Sequence, residues 1–235
     1  MTALPLAGRV AVVTGATGGL GGALARQLAE AGAHVVACGR KPRKLETLHS
    51  RCAADGIALQ LYPLDLEGAA PADLEQLVAD VLAEYGRLDL LVHCAADFPG
   101  LTPLALADPA AVARALHVNL TARIWLTQAA LPALAATAGR VEFVVDAAVR
   151  GEQPYWGGYG LAQTAQHALV SMLQAEQGAA GVQVGLWQPS PMPTALRARA
   201  YSHETETVSA PDVAARAWLA ALCGRTPMAT VDAMD

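Results

Sequence analysis

Short apolar, β-branched runs alternate along the chain with longer stretches in which apolar residues recur every three or four positions. Residues 9–13 read as a first strand, followed by a glycine-rich turn and a helix over about 20–31 that Gly32 stops. The pattern then predicts a strand at 34–38, a helix at 42–54, a strand at 58–64 closed by Asp65, a helix at 74–85 and a strand at 88–93. Residues 109–136 read as one long helix, bent or ended at Pro132. A strand at 140–145, a helix at 158–177, a strand at 182–187, a helix at 210–222 and a last strand at 228–231 complete the pattern. No repeat, linker or low-complexity tract divides it. The repeated strand–helix order predicts a single α/β domain over residues 1–235, a doubly wound parallel sheet with helices on both faces and right-handed crossovers.

Composition narrows the function. Of 235 residues, 54% are hydrophobic and 16% charged, which supports a sizeable core and excludes global disorder. The net charge of −5 argues against a nucleic-acid partner, which calls for a basic surplus. A mean hydropathy of +0.31 raises the question of a membrane span. The longest apolar stretch, 124–138, carries Thr127, Gln128, Pro132 and Thr137 and falls short of the roughly 18–20 residues a span needs. The opening MTALPLAGRV has no basic segment leading into an apolar run, so no signal peptide is expected. Cys38, Cys52, Cys94 and Cys223 are scattered, with no metal spacing, and the six histidines show none either. These features predict a reduced, cytoplasmic protein without metal or membrane association.

The turn after the first strand reads Thr14-Gly15-Ala16-Thr17-Gly18-Gly19-Leu20-Gly21. Glycines between a strand and a helix let the backbone approach a pyrophosphate resting on the helix N-terminus. The spacing assigns Gly15, Thr17, Gly19, Gly21 and the Leu20 amide to that role. At the end of the second strand, where an acidic side chain would bind a ribose 2′-hydroxyl, the chain has Gly39 followed by Arg40 and Lys41. A small residue and two cations suit a 2′-phosphate, so NADP(H) is expected rather than NAD(H).

The T-G-x-x-x-G-x-G pattern at Thr14–Gly21 resembles the cofactor loop of the short-chain dehydrogenase/reductase superfamily, a Rossmann-like fold. The resemblance runs from about Gly8 to the C-terminus. Asp65-Leu66 resembles the family's adenine contact, and residues 91–96 (LVHCAA) occupy its N-N-A-G segment, bringing Ala95 to the cofactor. Asn119 matches the family's helix asparagine, Tyr159 its catalytic tyrosine, and Pro189 to Thr194 its P-G-x-x-x-T segment, with Thr194 toward the nicotinamide. The resemblance implies a small-molecule carbonyl or alcohol substrate and a homodimer or homotetramer. In the family such assembly runs through the two long helices, and Trp125, Leu126, Ala130, Leu169 and Met172 would offer the apolar surface.

Two expected catalytic groups are missing. Gln163 stands four residues after Tyr159, where the family has its lysine, and the only lysines, Lys41 and Lys44, lie on the cofactor side. Thirteen residues before Tyr159, and seven after Gly139, the counts both land on Asp146 where the family has serine; a looser S-x-x-G alignment gives Ala148 before Gly151. The set therefore reads Asn119, Asp146, Tyr159, Gln163. An isolated tyrosine has a pKa of about 10. Gln163 cannot lower it as an ammonium would, and a carboxylate at Asp146 raises it.

That leaves an oxidoreductase with Asp146 recruited as acid or substrate anchor, a non-catalytic nucleotide-binding subunit or redox sensor, or a non-redox enzyme on the same fold. Losing the side-chain amides in residues 93–96 is expected to loosen those strand ends. Residues 192–209 are expected to form a mobile lid, on which Arg197, Arg199, Tyr201 and His203 read as a solvated face.

Overall fold

The computed structural model describes residues 4–149, 153–202 and 208–224. Its six strands are β1 (Val10–Thr14), β2 (His34–Gly39), β3 (Gln60–Pro63), β4 (Leu90–His93), β5 (Arg140–Val144) and β6 (Gln183–Trp187). They form one sheet in the order β3-β2-β1-β4-β5-β6, every pair parallel. The helices are α1 (Gly19–Glu30), α2 (Pro42–Ala54), α3 (Pro71–Tyr85), α4 (Pro109–Leu116), α5 (Ala122–Ala136), α6 (Gly157–Gln177) and α7 (Pro211–Leu222).

Parallel strands buried on both faces need apolar residues at every position, and β1 shows how they are shared. Val10 and Val12 join Leu74, Leu77, Leu126 and Phe143 in the core beneath α3, α5 and α6. Ala11 and Val13 join Leu24, Leu28, Leu45 and Trp218 in the core beneath α1, α2 and α7. At the opposite end of the sheet from the site, Asp89 receives Arg9 Nη1 (2.7 Å), Arg87 Nη2 (2.6 Å) and the Val10 N–H (2.9 Å), fixing the start of β1 against β4. Burial alone would raise the Asp89 carboxyl, but these hydrogen bonds outweigh it and hold it below the usual range.

Four expectations are corrected. β3 begins at Gln60, not residue 58, because the Ile57 N–H still bonds to Cys52 O (2.9 Å) in the closure of α2. α3 begins at Pro71, where the Asp73 side chain accepts the Ala70 N–H (2.8 Å). The stretch 109–136 is two helices joined by a π-turn at His117–Thr121. Pro132 sits within α5 without ending it: its ring is on the exposed side, while Ala130, Ala133 and Leu134 stay clamped in the core. The expected strand at 228–231 lies outside the described residues.

Candidate active site

A cleft of about 410 Å³ opens at the carboxyl ends of β1, β4 and β5. β1 pairs with β2 on one side and β4 on the other, so the strand order reverses there, and doubly wound sheets hold ligands at such a point. The floor is the glycine turn. Gly15 has φ +70°, and a Cβ there would lie 2.6 Å from Ala95 Cα. Gly21 is buried against the Gly15 carbonyl, with no room for a side chain between them. The first helical bond of α1 runs from Gly22 N–H to Gly18 O (2.9 Å), so the N–H groups of Gly19, Leu20 and Gly21 precede it at the positive end of the helix.

Thr17, Arg40, Lys41, Asp65, Leu66, Ala95, Pro189 and Thr194 line the same cleft. Lys44, which the sequence placed on this side without assigning it a role, joins them. At the end of β2, a Cβ on Gly39 would strike Thr17 Cγ2 at 2.8 Å, leaving no space for an acidic side chain. Arg40 approaches Glu67 only at 3.9 Å, with both about half exposed. Ala95 is held more firmly than its missing amides suggested: Thr14 Oγ1 accepts the N–H groups of both Cys94 and Ala95 (each 3.2 Å), and Arg123 Nη2 donates to Ala95 O (2.5 Å).

At the other end of the cleft, the first turn of α6 carries Tyr159, 3% exposed. Its ring packs against Phe98 (5.1 Å between centroids) and Trp156 (5.9 Å). Its hydroxyl donates to Asp146 Oδ2 at 3.3 Å. Asp146 follows β5, and its Oδ1 accepts the Ala148 N–H (2.9 Å). Of the two alignments, then, the carboxylate and not Ala148 reaches the tyrosine; Gly151 lies outside the described residues. Burial, then Asp146, push the Tyr159 phenol well above its usual range, against the opposing pull of Arg123.

Gln163 is one turn further along α6, and its Oε1 accepts the Asp146 N–H (2.9 Å). A lysine has no acceptor and could not make that bond. Asn119 does not line the cleft. In the π-turn its Nδ2 donates to Asp97 O and Ala115 O (2.7 Å each) and its Oδ1 accepts the Asp97 N–H (3.1 Å). It acts one layer behind, fixing Asp97 and Phe98 at the cleft wall.

Sequence reading missed Arg123. It lines the cleft from α5, is 2% exposed, and donates to Ala95 O, Val144 O (3.0 Å) and Gln166 Oε1. Burial lowers its guanidinium to about 10, so it stays charged at neutral pH. Its neighbour Cys94 is pushed up to about 12 by burial and remains a thiol. The available signal was a charged residue on the apolar stripe of an alanine-rich helix, four positions after Asn119.

The lid segment is described through residue 202 and again from 208. Its arginines are partly solvated, Arg199 exposed and Arg197 half-buried, but both also make contacts at the cleft. Arg197 stacks on Tyr201 at 4.1 Å, Arg199 Nη1 donates to Phe98 O at 2.6 Å, and both line the cleft. The Thr194 hydroxyl accepts the Arg197 N–H (3.1 Å), starting this short turn. His203 lies outside the described residues. Among the described residues no helix is long and apolar enough to cross a membrane, and no group of three His, Cys, Asp or Glu could hold a metal ion.

Sheet order, switch-point cleft and glycine turn define a doubly wound α/β protein of the dinucleotide-binding type. Known proteins narrow this further. Residues 9–205 match the family described as short chain dehydrogenase. Uncharacterized oxidoreductase YciK of Escherichia coli (strain K12) is 30% identical over 198 residues, covering 83% of this chain and 78% of that protein. A Pseudomonas syringae structure described as a short-chain dehydrogenase superposes with a TM-score of 0.88 at 32% identity, covering 93% of this chain and 90% of that one. A similarly described structure from Escherichia coli CFT073, complexed with NADPH, gives a TM-score of 0.87 at 29% identity, covering 94% and 92%. The chain belongs to the short-chain dehydrogenase family.

Proposed function

We propose that the chain is an NADP(H)-dependent oxidoreductase that interconverts a small carbonyl compound and its alcohol, with reduction the favoured direction. The observation that carries this reading is the single cleft joining the glycine turn to a buried Tyr159 whose proton is retained. The cleft suits the cofactor: Gly15 lets the turn pack against the Ala95 backbone, Gly19 carries no side chain at the start of α1 where a pyrophosphate would rest, and Gly39 with Arg40, Lys41 and Lys44 forms a cationic recess for a 2′-phosphate. Asp65 and Leu66 would flank the adenine; Ala95, Pro189 and Thr194 would flank the nicotinamide. The relative solved with NADPH supports the same choice.

When bound, the reduced nicotinamide supplies a hydride to the carbonyl carbon. The chain's part is to seat the substrate oxygen at Tyr159 Oη and give it the phenolic proton, so that the C=O bond becomes C–O–H. Asp146 orients that hydroxyl, Gln163 fixes Asp146, and Asn119 fixes the wall opposite. Arg40→Ala and Lys41→Ala together are expected to weaken NADPH at least about tenfold while changing NADH by less than about twofold. Fluorescence titration reads both; equal losses for the two nucleotides would assign these cations elsewhere.

A second reading, a nucleotide-binding subunit or redox sensor without turnover, is favoured by one observation. Gln163 brings no charge where the family resemblance expects a lysine. Screening NADPH consumption against aldehydes and ketones separates the two, with nucleotide binding in the absence of turnover favouring the second.

The four cysteines, unpaired thiols, support a cytoplasmic setting. For assembly, Leu126 (1% exposed) and Ala130 (0%) are core residues and unavailable as contacts. Met172 is exposed, and Trp125 and Leu169 are half-buried, on α5 and α6. We place a homodimer or homotetramer interface on that remaining surface. Light scattering at micromolar concentration should give a dimer or larger, and Met172→Glu should shift it toward monomer.

A further inference from the structure

Arg123 is the only buried lysine or arginine among the described residues, and it makes no salt bridge there. Its hydrogen bonds go to two backbone carbonyls and one neutral amide, while Nε, fully buried, has no partner. A cation placed so is costly, because neither water nor a counter-ion offsets its desolvation. A neutral amide could donate to two of these three acceptors without placing a charge in the interior. What the charge adds is a positive potential with no carboxylate in salt-bridge contact among the described residues.

That potential falls on the reacting end of the cleft. Nη2 holds Ala95 O at the end of β4, Nη1 holds Val144 O two residues before Asp146, and Nη1 also holds Gln166 Oε1, on the α6 face that carries Tyr159 and Gln163. The guanidinium is thus pinned from three directions among the elements that deliver Tyr159, Asp146 and the cofactor loop. Burial first, then the Arg123 charge, hold the His93 imidazole well below its usual range. The Thr127 hydroxyl donates to Arg123 O (2.7 Å) and so accepts from His93 Nε2 (2.9 Å), leaving Nδ1 bare and the ring neutral beside the cation.

We propose that Arg123 is the positive charge of this active site, a positioning residue on α5 that favours the anionic form of Tyr159, in place of a cation on the helix that carries Gln163. This rests on Tyr159 being the proton donor. In relatives of the family pattern the cation and the tyrosine share one helix; here Gln163 is free to anchor Asp146 because the charge arrives from another element. Arg123 limits how far Asp146 and burial raise the phenol, so that the proton can leave.

The other charged or ionisable groups facing Tyr159 are Asp146 after β5 and the Cys94 thiol after β4. Arg197 and Arg199 line the cleft from the lid side, and the Asp97–Arg114 pair (3.2 Å) stands at the wall. The test reads the ionisation of Tyr159 directly, without turnover. Full-length protein is labelled at tyrosine ζ-carbon, the Tyr159 signal is assigned among five tyrosines by Tyr159→Phe, and titrations follow it by NMR. Asp146→Asn is the background, since it removes the largest opposing charge and lowers the midpoint. Adding Arg123→Gln should raise the midpoint by about one unit or more, a tenfold loss in ionisation. Arg123→Lys should keep it near the background value.

A midpoint unchanged within about 0.3 unit by Arg123→Gln would overturn the proposal, because losing a positive charge that acts on the phenol must raise its midpoint. Should Arg123→Gln not fold by circular dichroism, Arg123→Met with Gln166→Leu removes the charge together with its buried polar partner and is titrated against the same criterion. The functional reading fails separately. If the midpoint moves as expected but no carbonyl compound is reduced, the charge assignment stands and the oxidoreductase assignment falls.

Discussion

Tyr159→Phe is expected to cut kcat for carbonyl reduction by about 10²–10⁴-fold and to leave NADPH affinity within about twofold. Only the hydroxyl is lost; the ring keeps its contacts with Phe98 and Trp156. The pH dependence gives a second, independent check. Burial and Asp146 hold the phenol well above its usual range, so it remains protonated across neutral pH. Reduction, which uses the protonated form, should be flat from about pH 6 to 9, whereas alcohol oxidation, which uses the phenolate, should rise about tenfold per pH unit. A reduction rate that falls through neutral pH would assign proton transfer to another group. Single-turnover measurements with saturating NADPH read the chemical step directly.

Gly15→Val is expected to abolish measurable NADPH binding, a loss of at least about 100-fold, and to lower Tm. Two effects add. The backbone at φ +70° disfavours a branched side chain by about 1–2 kcal/mol, and the new Cβ meets Ala95 backbone, which has no flexible end to move aside. Gly19→Ala separates the cradle from the fold. Its Cβ would meet only the side chains of Thr194 (3.3 Å) and Pro211 (3.4 Å), so the protein should keep its Tm within a few degrees while NADPH affinity falls. Unchanged affinity in Gly19→Ala would mean that the turn serves packing alone.

Much of this was legible before any coordinates. The alternation of apolar runs with helical periodicity gave the sheet and its helices because parallel strands are apolar at every position. The glycine turn was legible because few other constraints demand so many glycines at one strand–helix junction. Counting from Tyr159 and Gly139 located Asp146 because β5 and the start of α6 carry no insertion relative to the pattern. The roles were harder. That Gln163 grips a backbone N–H, and that Asn119 spends both ends of its amide on Asp97 and Ala115, depend on distances that spacing does not encode. Arg123 was overlooked because an arginine in an alanine-rich helix reads as solvent-facing. Its burial follows from the phase of α5, and that phase is set by the π-turn, a slip in hydrogen bonding with no residue signature of its own.

That slip gives the chain a place where the loss of a single codon can be absorbed. Each residue in a helix turns the next by about 100°, and the wider turn at His117–Thr121 carries more residues than an α-turn would. Upstream of it, α4 lies against α6; downstream, α5 lies against α3. Deleting Leu120 would take out the extra residue and let the wide turn close to α-geometry, leaving α5 in phase, with the Arg123 guanidinium at the cleft and the Leu126–Ala130–Leu134 ridge against α3. The same loss inside α5, at Ile124 for instance, has no spare residue to draw on and would turn every later side chain by about 100°. The turn is thus a slack link, the one place in this stretch of helix where a change of length need not be a change of address for the side chains that follow.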